Sequence, residues 1–197
     1  MPNEWDKIAK EWDRHRQKPV EFAVRLASTW KPGKILDIGC GNARNLKPFM
    51  EKGFKCYGID SSKELIKIAK QRLPQAKLLY ASATKLPFPD KSFDYVICLA
   101  VLHHLKPKDH EKALSEIKRV LKPAGMAGIA VWNKLQPRFI LGKKEQMVPW
   151  KLPKQTIQRY YYFFTCWELR KLLKKQGFII KKGNILGKNI EFIVQKP

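Results

Sequence analysis

The clearest candidate ligand site in the sequence is a pair of glycines that lies between two aspartates. The stretch ILDIGCGNA, residues 35–43, is a short apolar run that leads into Gly39 and Gly41, with Asp37 just before them. Glycines at such a turn let the backbone come close to a ligand. Asp60 stands 19 residues after Gly41, where a carboxylate can accept both hydroxyls of a ribose. A carboxylate at Asp37 attracts an ammonium group and repels a diphosphate, so the expected ligand carries a ribose and an ammonium.

The same turn matches the dinucleotide-binding motif incompletely. In G-x-G-x-x-G the third glycine would fall at position 44, which is Arg44. A pyrophosphate favours the close approach to a helix N-terminus that this glycine allows. The sequence therefore favours a nucleoside with an ammonium group over NAD.

Two adjacent histidines, His103 and His104, follow an apolar run that ends near residue 100. A histidine at the end of such a strand can orient a substrate oxygen or act as a base. A buried structural pair is the other interpretation. If the reacting group is a carboxylate, no base is needed because that group is already ionised at neutral pH. The site then mainly aligns the reacting atoms and excludes water.

The elements that position these residues alternate between strands and helices. Apolar runs occur in PGKILDIG, KCYGID, AKLLYA, FDYVICLA and MAGIAVW. Helices are predicted between them at 43–52, at 61–72 with a capping box of Ser61 and Glu64, and at 108–121. Continuously apolar strands that alternate with helices predict a parallel sheet covered on both faces. FIIKK and IEFIVQ predict the two strands of a closing hairpin.

The segments before and after this alternation of strands and helices are predicted to have other structures. Residues 1–30 predict two N-terminal helices, whereas several prolines break the alternation beyond residue 132, so that 133–164 is predicted to be an inserted loop on the substrate side. Thr165 and Glu168 predict the capping box of a last helix. We expect one domain over residues 1–197.

Within that segment, residues 159–164 read RYYYFF. Five consecutive aromatic residues match neither the alternation of a half-buried strand nor the spacing of one helix face. Phe163 and Phe164 are predicted to pack under the helix that follows. Arg159, Tyr160 and Tyr161 are then predicted to face the substrate, where a tyrosine can stack on a base and an arginine can hold a phosphate.

The chain is strongly basic. Its 40 Lys and Arg against 17 Asp and Glu give a formal net charge of +23. Residues 133–197 hold 15 basic and 3 acidic residues, so the last third carries over half of the excess. Such an excess favours a polyanionic partner, with nucleic acid as the first candidate and an anionic membrane surface as the second. Solvated faces in a lysine-rich proteome are the third interpretation.

Cysteine usage and the N-terminus predict the compartment. The cysteines, Cys40, Cys56, Cys98 and Cys166, are scattered without a CxxC pair, so neither a metal site nor a disulfide framework is expected. The polar N-terminus does not resemble a signal peptide, and no apolar run reaches the length of a membrane span. We therefore expect a cytoplasmic protein that does not act at a membrane.

The motifs together resemble a known family. L-D-I-G-C-G-N at residues 36–42, the stretch ASATKLPFPDKSFDYVICLAVLHHL, and RVLKPAGMAGIAVW are similar to the motifs of class I S-adenosylmethionine (SAM)-dependent methyltransferases. The resemblance covers almost the whole chain. It implies an α/β, Rossmann-like fold with a seven-stranded, mostly parallel sheet, helices on both faces and a C-terminal antiparallel hairpin. It also implies SAM as the cofactor and S-adenosylhomocysteine as its product.

The resemblance also assigns the cofactor residues. Asp37 and Gly39 would line the methionine end, with Gly41 and Asn42 beside them, and Asp60 would hold the ribose. Ser82 stands where many relatives have an aspartate near the adenine. The full set implied is Asp37, Gly39, Cys40, Gly41, Asn42, Asp60, Ser61, Ser82, Ala83 and Leu99.

Three further stretches resemble one group of these enzymes. IAKEWDRHRQKP, AVLHH, and VPWKLP followed by RYYYFF are similar to motifs of the tRNA wobble-uridine carboxymethyl methyltransferases. These enzymes esterify 5-carboxymethyluridine in tRNA, commonly with a small zinc-binding activator protein that covers an apolar edge of the sheet. The resemblance implies the anticodon loop of tRNA as a partner. It places Arg16 and His104 at the carboxylate or base of the acceptor, and Arg159 and Tyr160 on the RNA side.

Other methyl acceptors remain as alternatives. No D/N-P-P-Y/F motif follows the fourth strand, which disfavours base amines, and no cysteine follows a proline for attack on a pyrimidine ring. A methyltransferase for a quinone precursor or another metabolite would share the core motifs. An RNA-binding subunit that has lost turnover is the non-catalytic alternative.

Overall fold

The computed structural model describes residues 3–136 and 139–197. Pro137, one of the prolines on which the predicted inserted loop depends, lies outside these residues, as do positions 1, 2 and 138. The helices are α1 Glu4–His15, α2 Glu21–Thr29, α3 Lys47–Glu51, α4 Lys63–Arg72, α5 Pro107–Val120 and α6 Cys166–Lys175. The strands are β1 Lys34–Ile38, β2 Lys55–Asp60, β3 Lys77–Tyr80, β4 Phe93–Leu99, β5 Leu121–Trp132, β6 Glu145–Lys151, β7 Thr156–Tyr162, β8 Ile179–Asn184 and β9 Asn189–Gln195.

Seven of the strands form one mixed sheet. Their order is β3-β2-β1-β4-β5-β9-β8. The first five are parallel, whereas β9 is antiparallel to both β5 and β8. This confirms the predicted α/β fold and its C-terminal antiparallel hairpin. The strand order reverses between β1 and β4, and the crevice at the carboxyl ends of such neighbours is where open α/β sheets bind ligands.

Both faces of the sheet are buried, which explains the continuously apolar strands. Along β1, Leu36 and Ile38 belong to one apolar layer, which includes residues of α5 and α6. Ile35, on the same strand, belongs to the other layer, with residues of α2, α3 and α4. Alternate residues of one strand therefore supply two cores, and no position in the middle of the strand is left for a solvated side chain.

Helix α1 begins with a capping box that also ties it to the body of the protein. The Asn3 side chain accepts a hydrogen bond from the Asp6 backbone N–H at 2.9 Å, and the Asp6 carboxylate accepts one from the Asn3 N–H. The second Asp6 oxygen accepts bonds from the Ser62 hydroxyl at 2.7 Å and the Glu64 N–H at 3.1 Å, at the start of α4. One carboxylate thus caps two helices and holds α1 across the carboxyl ends of the strands.

Two predicted helix starts differ from the structure. The helix predicted from residue 43 begins only at Lys47, because Ala43 has a left-handed φ of +61° and closes a turn instead. Pro48 then occupies the first turn of the helix, where its missing N–H costs nothing. The cap of α4 is Ser62 rather than Ser61, since the Ser62 hydroxyl accepts the Leu65 N–H at 3.1 Å. The predicted capping box of Thr165 and Glu168 is present.

The segment predicted as an inserted loop contains a hairpin. Strands β6 and β7 pair antiparallel, apart from the main sheet, with Val148 opposite Arg159. The first four residues of the RYYYFF run therefore belong to β7, and their side chains alternate: Arg159 and Tyr161 are buried on one face. Aromatic residues occupy both faces because one face packs on a small cluster around Phe139 and the other packs on the core beside α6. The amino-acid types alone do not indicate these two environments.

The two phenylalanines at the end of the run separate. Phe164 belongs to the main core with Leu169 and Leu173 of α6, as predicted. Phe163 does not pack under α6. It lies in a small cluster with Phe139 and Tyr161, with ring centroids of Phe139 and Phe163 4.2 Å apart.

No helix in the described part of the chain combines the length and the hydropathy that crossing a bilayer requires.

Candidate active site

The glycine turn follows β1 and has no room for side chains. Gly39 and Gly41 have left-handed φ values of +68° and +55°. A Cβ atom at Gly39 would lie 2.4 Å from the Val101 side chain, and one at Gly41 would lie 2.8 Å from the Trp12 ring. Both positions therefore need glycine for conformation and for space. Trp12 places α1 directly on the turn.

Asp60, at the end of β2, reaches back to this turn. Its carboxylate accepts hydrogen bonds from the Gly41 N–H at 2.9 Å and the Ser62 N–H at 2.8 Å. Burial nevertheless raises the pKa of Asp60 to about 6. Each oxygen retains a lone pair, so the carboxylate can still accept the two ribose hydroxyls that the sequence predicts.

We expect cofactor affinity to fall as the pH drops below about 6, because protonation turns one Asp60 oxygen from an acceptor into a donor. Calorimetric titration of SAM between about pH 5 and about pH 8 measures this dependence. The Asp60→Asn variant should bind more weakly at neutral pH and show a smaller change with pH. Wild-type affinity that stays constant over this range would contradict the assigned role.

Asp37 is the second carboxylate and has an unfilled position. It lies on β1, is only 1% exposed, and its Oδ2 atom has no hydrogen-bond partner among the described residues. Burial, together with the nearby charge of Asp60, raises the pKa of Asp37 well above its ordinary value. An isolated buried carboxylate is unfavourable without a cation. The arrangement fits the ammonium group of a bound amino acid, and hence SAM.

The other predicted cofactor residues lie around the same crevice in different settings. Asn42 is buried, but its amide donates to the Asp13 carboxylate at 2.6 Å and to the Arg16 carbonyl at 2.8 Å. It therefore fastens the end of α1 to the turn. Cys40 is buried, and burial raises the pKa of its thiol well above the ordinary value, so it is an apolar wall residue rather than a nucleophile.

The residues predicted around the nucleoside are partly open. Ser61 and Ser82 are exposed, Ala83 is half-buried and Leu99 is buried. The Ser82 hydroxyl lies 2.9 Å from the Thr84 hydroxyl and accepts the Thr84 N–H. Ser82 is therefore used in a local turn, and its role towards an adenine stays a prediction.

The histidine pair stands where β4 ends, and its hydrogen bonds define the tautomers. Nδ1 of His104 lies 3.1 Å from the Tyr160 carbonyl oxygen, so this nitrogen carries the proton and Nε2 is the acceptor. Nδ1 of His103 instead accepts the Trp132 N–H at 3.1 Å. Burial lowers the pKa of His104 to about 3 and that of His103 well below its usual range. Both rings are neutral at physiological pH.

Arg159 lies beside these histidines in a cage of aromatic rings. Its guanidinium carbon is 4.9 Å from the ring centroid of Trp150, 5.2 Å from that of Tyr161 and 5.5 Å from that of Trp5. Trp5 also contacts His104, with ring centroids 4.6 Å apart. We call Arg159 and these three rings the Arg159 cage.

The cation of the cage lacks a counter-ion. Arg159 is 7% exposed, its Nη1 donates to the Tyr161 hydroxyl at 2.8 Å, and its Nε has no partner among the described residues. No carboxylate of those residues lies within ion-pair distance of it. Burial lowers its pKa from the ordinary value, although the group remains charged. A desolvated guanidinium with free donors fits a planar anion such as a carboxylate.

Two predicted acceptor residues are placed differently. Tyr160 does not share the face of Arg159, because neighbouring strand residues point in opposite directions. Its hydroxyl donates to Glu145 at 2.6 Å, and only its carbonyl reaches His104. The side chains of Tyr160 and Arg159 thus lie on opposite faces of the strand, and the role of Tyr160 towards an acceptor stays a prediction. Arg16 is exposed in the loop after α1 and does not lie in the cage.

The sequence did not predict the functional positions of Trp5, Trp12 and Trp150. Trp5 and Trp12 follow helical spacing, which is typical of a helix that packs on a core, so the pattern alone could not assign them to a ligand site. The only available signal was the presence of tryptophans and arginines in the same basic segments, since a cation can pack on an indole ring, but the sequence does not show which pairs meet. Among the described residues, no three His, Cys, Asp or Glu side chains are arranged to hold a metal ion.

Comparison with known proteins defines the class. Residues 36–129 match the family model described as a methyltransferase domain. A putative methyltransferase of Encephalitozoon cuniculi is 31% identical over 185 residues, covering 88% of this chain and 84% of its own. A SAM-dependent methyltransferase structure from Methanosarcina mazei superposes with a TM-score of 0.78 over 91% of this chain and 98% of its own, at 21% identity. The chain belongs to the class I SAM-dependent methyltransferases.

Within the class, the similarity extends to tRNA-modifying enzymes. The tRNA (carboxymethyluridine(34)-5-O)-methyltransferase of Schizosaccharomyces pombe is 28% identical, covering 88% of this chain and 86% of its own. The probable tRNA methyltransferase 9B of Mus musculus is 33% identical over 74% of this chain, which spans only 30% of the length of that relative. A Haloferax volcanii methyltransferase, solved in complex with the Trm112 methyltransferase activator, has the same fold, with a TM-score of 0.75 over 98% of this chain and 96% of its own at 18% identity.

Proposed function

We propose that this methyltransferase esterifies the carboxylate of 5-carboxymethyluridine at the wobble position of tRNA. The observation that carries the proposal is the Arg159 cage, which holds an unpaired cation beside the end of β4. The similarity to carboxymethyluridine methyltransferases supports it. The basic surface adds to it, since RNA is a polyanion.

In this mechanism the chain's residues position an acceptor that is already a nucleophile. Arg159 holds the carboxylate and fixes the direction of its reacting oxygen. The aromatic rings around it exclude water, which strengthens the ion pair. SAM, when bound, supplies an electrophilic methyl group. No proton has to be removed, which agrees with a neutral, weakly basic His104.

The tautomer of His104 favours a hydrogen bond with the uracil base of the substrate rather than with its carboxylate. Nε2 offers a lone pair, which a carboxylate would repel. The imide N–H of a uracil ring is a suitable donor for it. His104 therefore distinguishes the base while Arg159 holds the acid group.

A direct assay tests the proposal. Purified enzyme, with the zinc-binding activator present, is incubated with labelled SAM and tRNA that carries 5-carboxymethyluridine, and the nucleosides are analysed by mass spectrometry. We expect the methyl ester of carboxymethyluridine and no product from tRNA that lacks the carboxymethyl group. Label that enters only metabolites in a cell extract would show that the acceptor is a small molecule.

The activator is proposed to cover the β3 edge of the sheet. β3 is the last strand on that side, and Leu79 and Tyr80 on it are 42% and 57% exposed. An apolar strand with free backbone groups suits strand addition by a partner. The opposite edge, β8, carries exposed lysines, which are typical of protected edges. The Haloferax volcanii complex supports a partner of this kind.

We expect Leu79→Asp to abolish co-elution with the activator in size-exclusion chromatography, because a buried charge at the edge is unfavourable by several kcal/mol. Ile179→Asp is the matched control, since Ile179 is similarly exposed on the opposite edge strand. That variant should bind the activator normally. Equal loss in both variants, or in neither, would exclude the β3 edge as the docking site.

A further inference from the structure

A second basic feature lies beside the Arg159 cage and is not used by the mechanism above. It is a pocket of about 480 Å³ between the end of α1 and the residue that follows the glycine turn. All but one of its lining residues lie at the end of α1 or just after it, and Arg44 is the exception. The lining residues are Arg14, His15, Arg16, Gln17, Lys18, Val20 and Arg44. We call it the basic pocket.

The charges of the basic pocket are only partly compensated. Arg14 pairs with Glu11 at 3.0 Å. Arg16, Lys18 and Arg44 have no carboxylate within ion-pair distance among the described residues. The Asp13 carboxylate, near the end of α1, is paired with Arg72 at 2.9 Å and also accepts a hydrogen bond from Asn42. Three cations without an ion-pair partner around one cavity produce a positive potential that attracts an anion.

The pocket is held in a fixed shape by the cofactor loop. Three hydrogen bonds join the two: Asn42 to the Arg16 carbonyl at 2.8 Å, Arg44 to the Lys18 carbonyl at 2.9 Å, and the Val20 N–H to Asn45 at 3.1 Å. The backbone that carries the cations is therefore fastened at three points. A surface of freely moving lysines would lack such bonds.

Arg44 is the most constrained cation of the pocket. Its guanidinium lies 5.5 Å from the Trp12 ring centroid, and its Nε is buried without a partner in the described residues. Burial, with the neighbouring Arg16 and Arg72 charges, lowers its pKa to about 10. The cation is thus partly desolvated before any ligand arrives, which strengthens its attraction for an anion.

The basic pocket adjoins the acceptor site. The His15 ring lies 6.3 Å from the Trp150 ring, and Trp150 is a wall of the Arg159 cage. The Arg16 charge contributes to lowering the pKa of both Arg44 and Arg159, so its field reaches the basic pocket and the cage alike. An anion in the pocket and a carboxylate in the cage would therefore be neighbours.

We propose that the basic pocket binds a backbone phosphate of the RNA whose carboxylated base enters the Arg159 cage. Arginine forks and a lysine around one cavity match the several oxygens of a phosphodiester. The inference rests on the proposed function for the neighbouring base. It gives Arg16 a phosphate as its partner, in place of the acceptor's carboxylate or base to which the sequence resemblance assigns it.

Binding measurements with two RNAs test the pocket separately from the reaction. The probes are fluorescent anticodon stem-loops whose wobble uridine carries or lacks the carboxymethyl group. The pocket variant is Arg16→Gln/Lys18→Gln, since neither side chain bonds to another helix or strand in the part of the chain that the structure describes. The matched control is Lys171→Gln/Lys174→Gln, which removes two charges from the exposed part of α6. Thermal unfolding is recorded for every variant.

We expect the pocket variant to weaken both RNAs by the same factor, about tenfold. The slope of log affinity against log salt should fall by about 0.7–0.9 for each phosphate that the variant no longer neutralises. The control should change affinity less than twofold. A pocket variant that behaves like the control would overturn the proposal, as would equally tight, pocket-dependent binding of an acidic peptide such as polyglutamate.

The proposed function is tested by a different variant. Arg159→Gln should weaken only the carboxymethylated RNA. If it affects both RNAs equally or neither, the carboxylate assignment is wrong, while weaker binding of both RNAs by the pocket variant would still support the phosphate site.

Discussion

Replacement of Arg159 by Gln is expected to lower kcat/KM for carboxymethylated tRNA by roughly 30-fold or more, since truncating one partner of a buried charge pair costs about 2–5 kcal/mol. The same change should alter the unfolding temperature little. The lost hydrogen bond to Tyr161 and the lost ring contacts are offset by removal of a desolvated cation that has no counter-ion among the described residues. Steady-state kinetics and calorimetric unfolding measure the two effects.

Arg170→Gln is the matched control, because Arg170 is an exposed arginine on α6. It should retain activity and stability. If Arg159→Gln lowered stability and activity together, the residue would be part of the framework and the cage would not be an acceptor site. Equal weakening of binding to anticodon stem-loops with and without the carboxymethyl group would also argue against a carboxylate partner.

Replacement of Asp37 by Asn is expected to weaken SAM binding about 100-fold, because the buried carboxylate that would face the ammonium group is lost. Stability should change in the opposite direction. Since burial raises the pKa of Asp37, the wild-type group contributes stability that is present below its unfolded pKa of about 4 and is lost as the pH rises. The variant should therefore be more stable than the wild type at neutral pH, with a difference that disappears near pH 4.

Isothermal titration and urea unfolding at several pH values measure these two effects. Asp90→Asn serves as the control, because Asp90 is an exposed carboxylate paired with Arg119 at 2.9 Å. It should bind SAM normally. An Asp37→Asn variant that binds SAM with wild-type affinity would exclude Asp37 from the methionine end of the cofactor site.

The sheet and the glycine turn could be predicted because local sequence determines them. Continuous apolar runs such as VICL, residues 96–99, are required wherever a strand is covered on both sides, and glycine is required where φ is positive beside Val101 and Trp12. Asp37 and Asp60 follow from the same argument, since strand ends define the ligand crevice. These features do not depend on distant partners.

The acceptor side could not be predicted in the same way because it depends on distant contacts. Arg159 becomes a caged cation only when Trp5, from α1, and Trp150, from the facing strand, pack on it. The alternation in RYYYFF was hidden because aromatic residues face a cluster on one side and α6 on the other. Likewise, the sequence did not show that the Asn42 amide bonds to Asp13 in α1 and to Arg16 just after it, and its role towards the cofactor stays a prediction.

Helix α1 is a single element that contacts both the cofactor side and the acceptor side of the crevice. Trp12 lies on Gly41 of the cofactor turn, Trp5 lies on His104 and Arg159, and Asp6 anchors the helix at α4. A ligand that immobilises this helix removes part of the ordering cost for the second ligand. We therefore expect positive cooperativity between cofactor and acceptor RNA, and this coupling must be reciprocal: each increases the affinity for the other by the same factor.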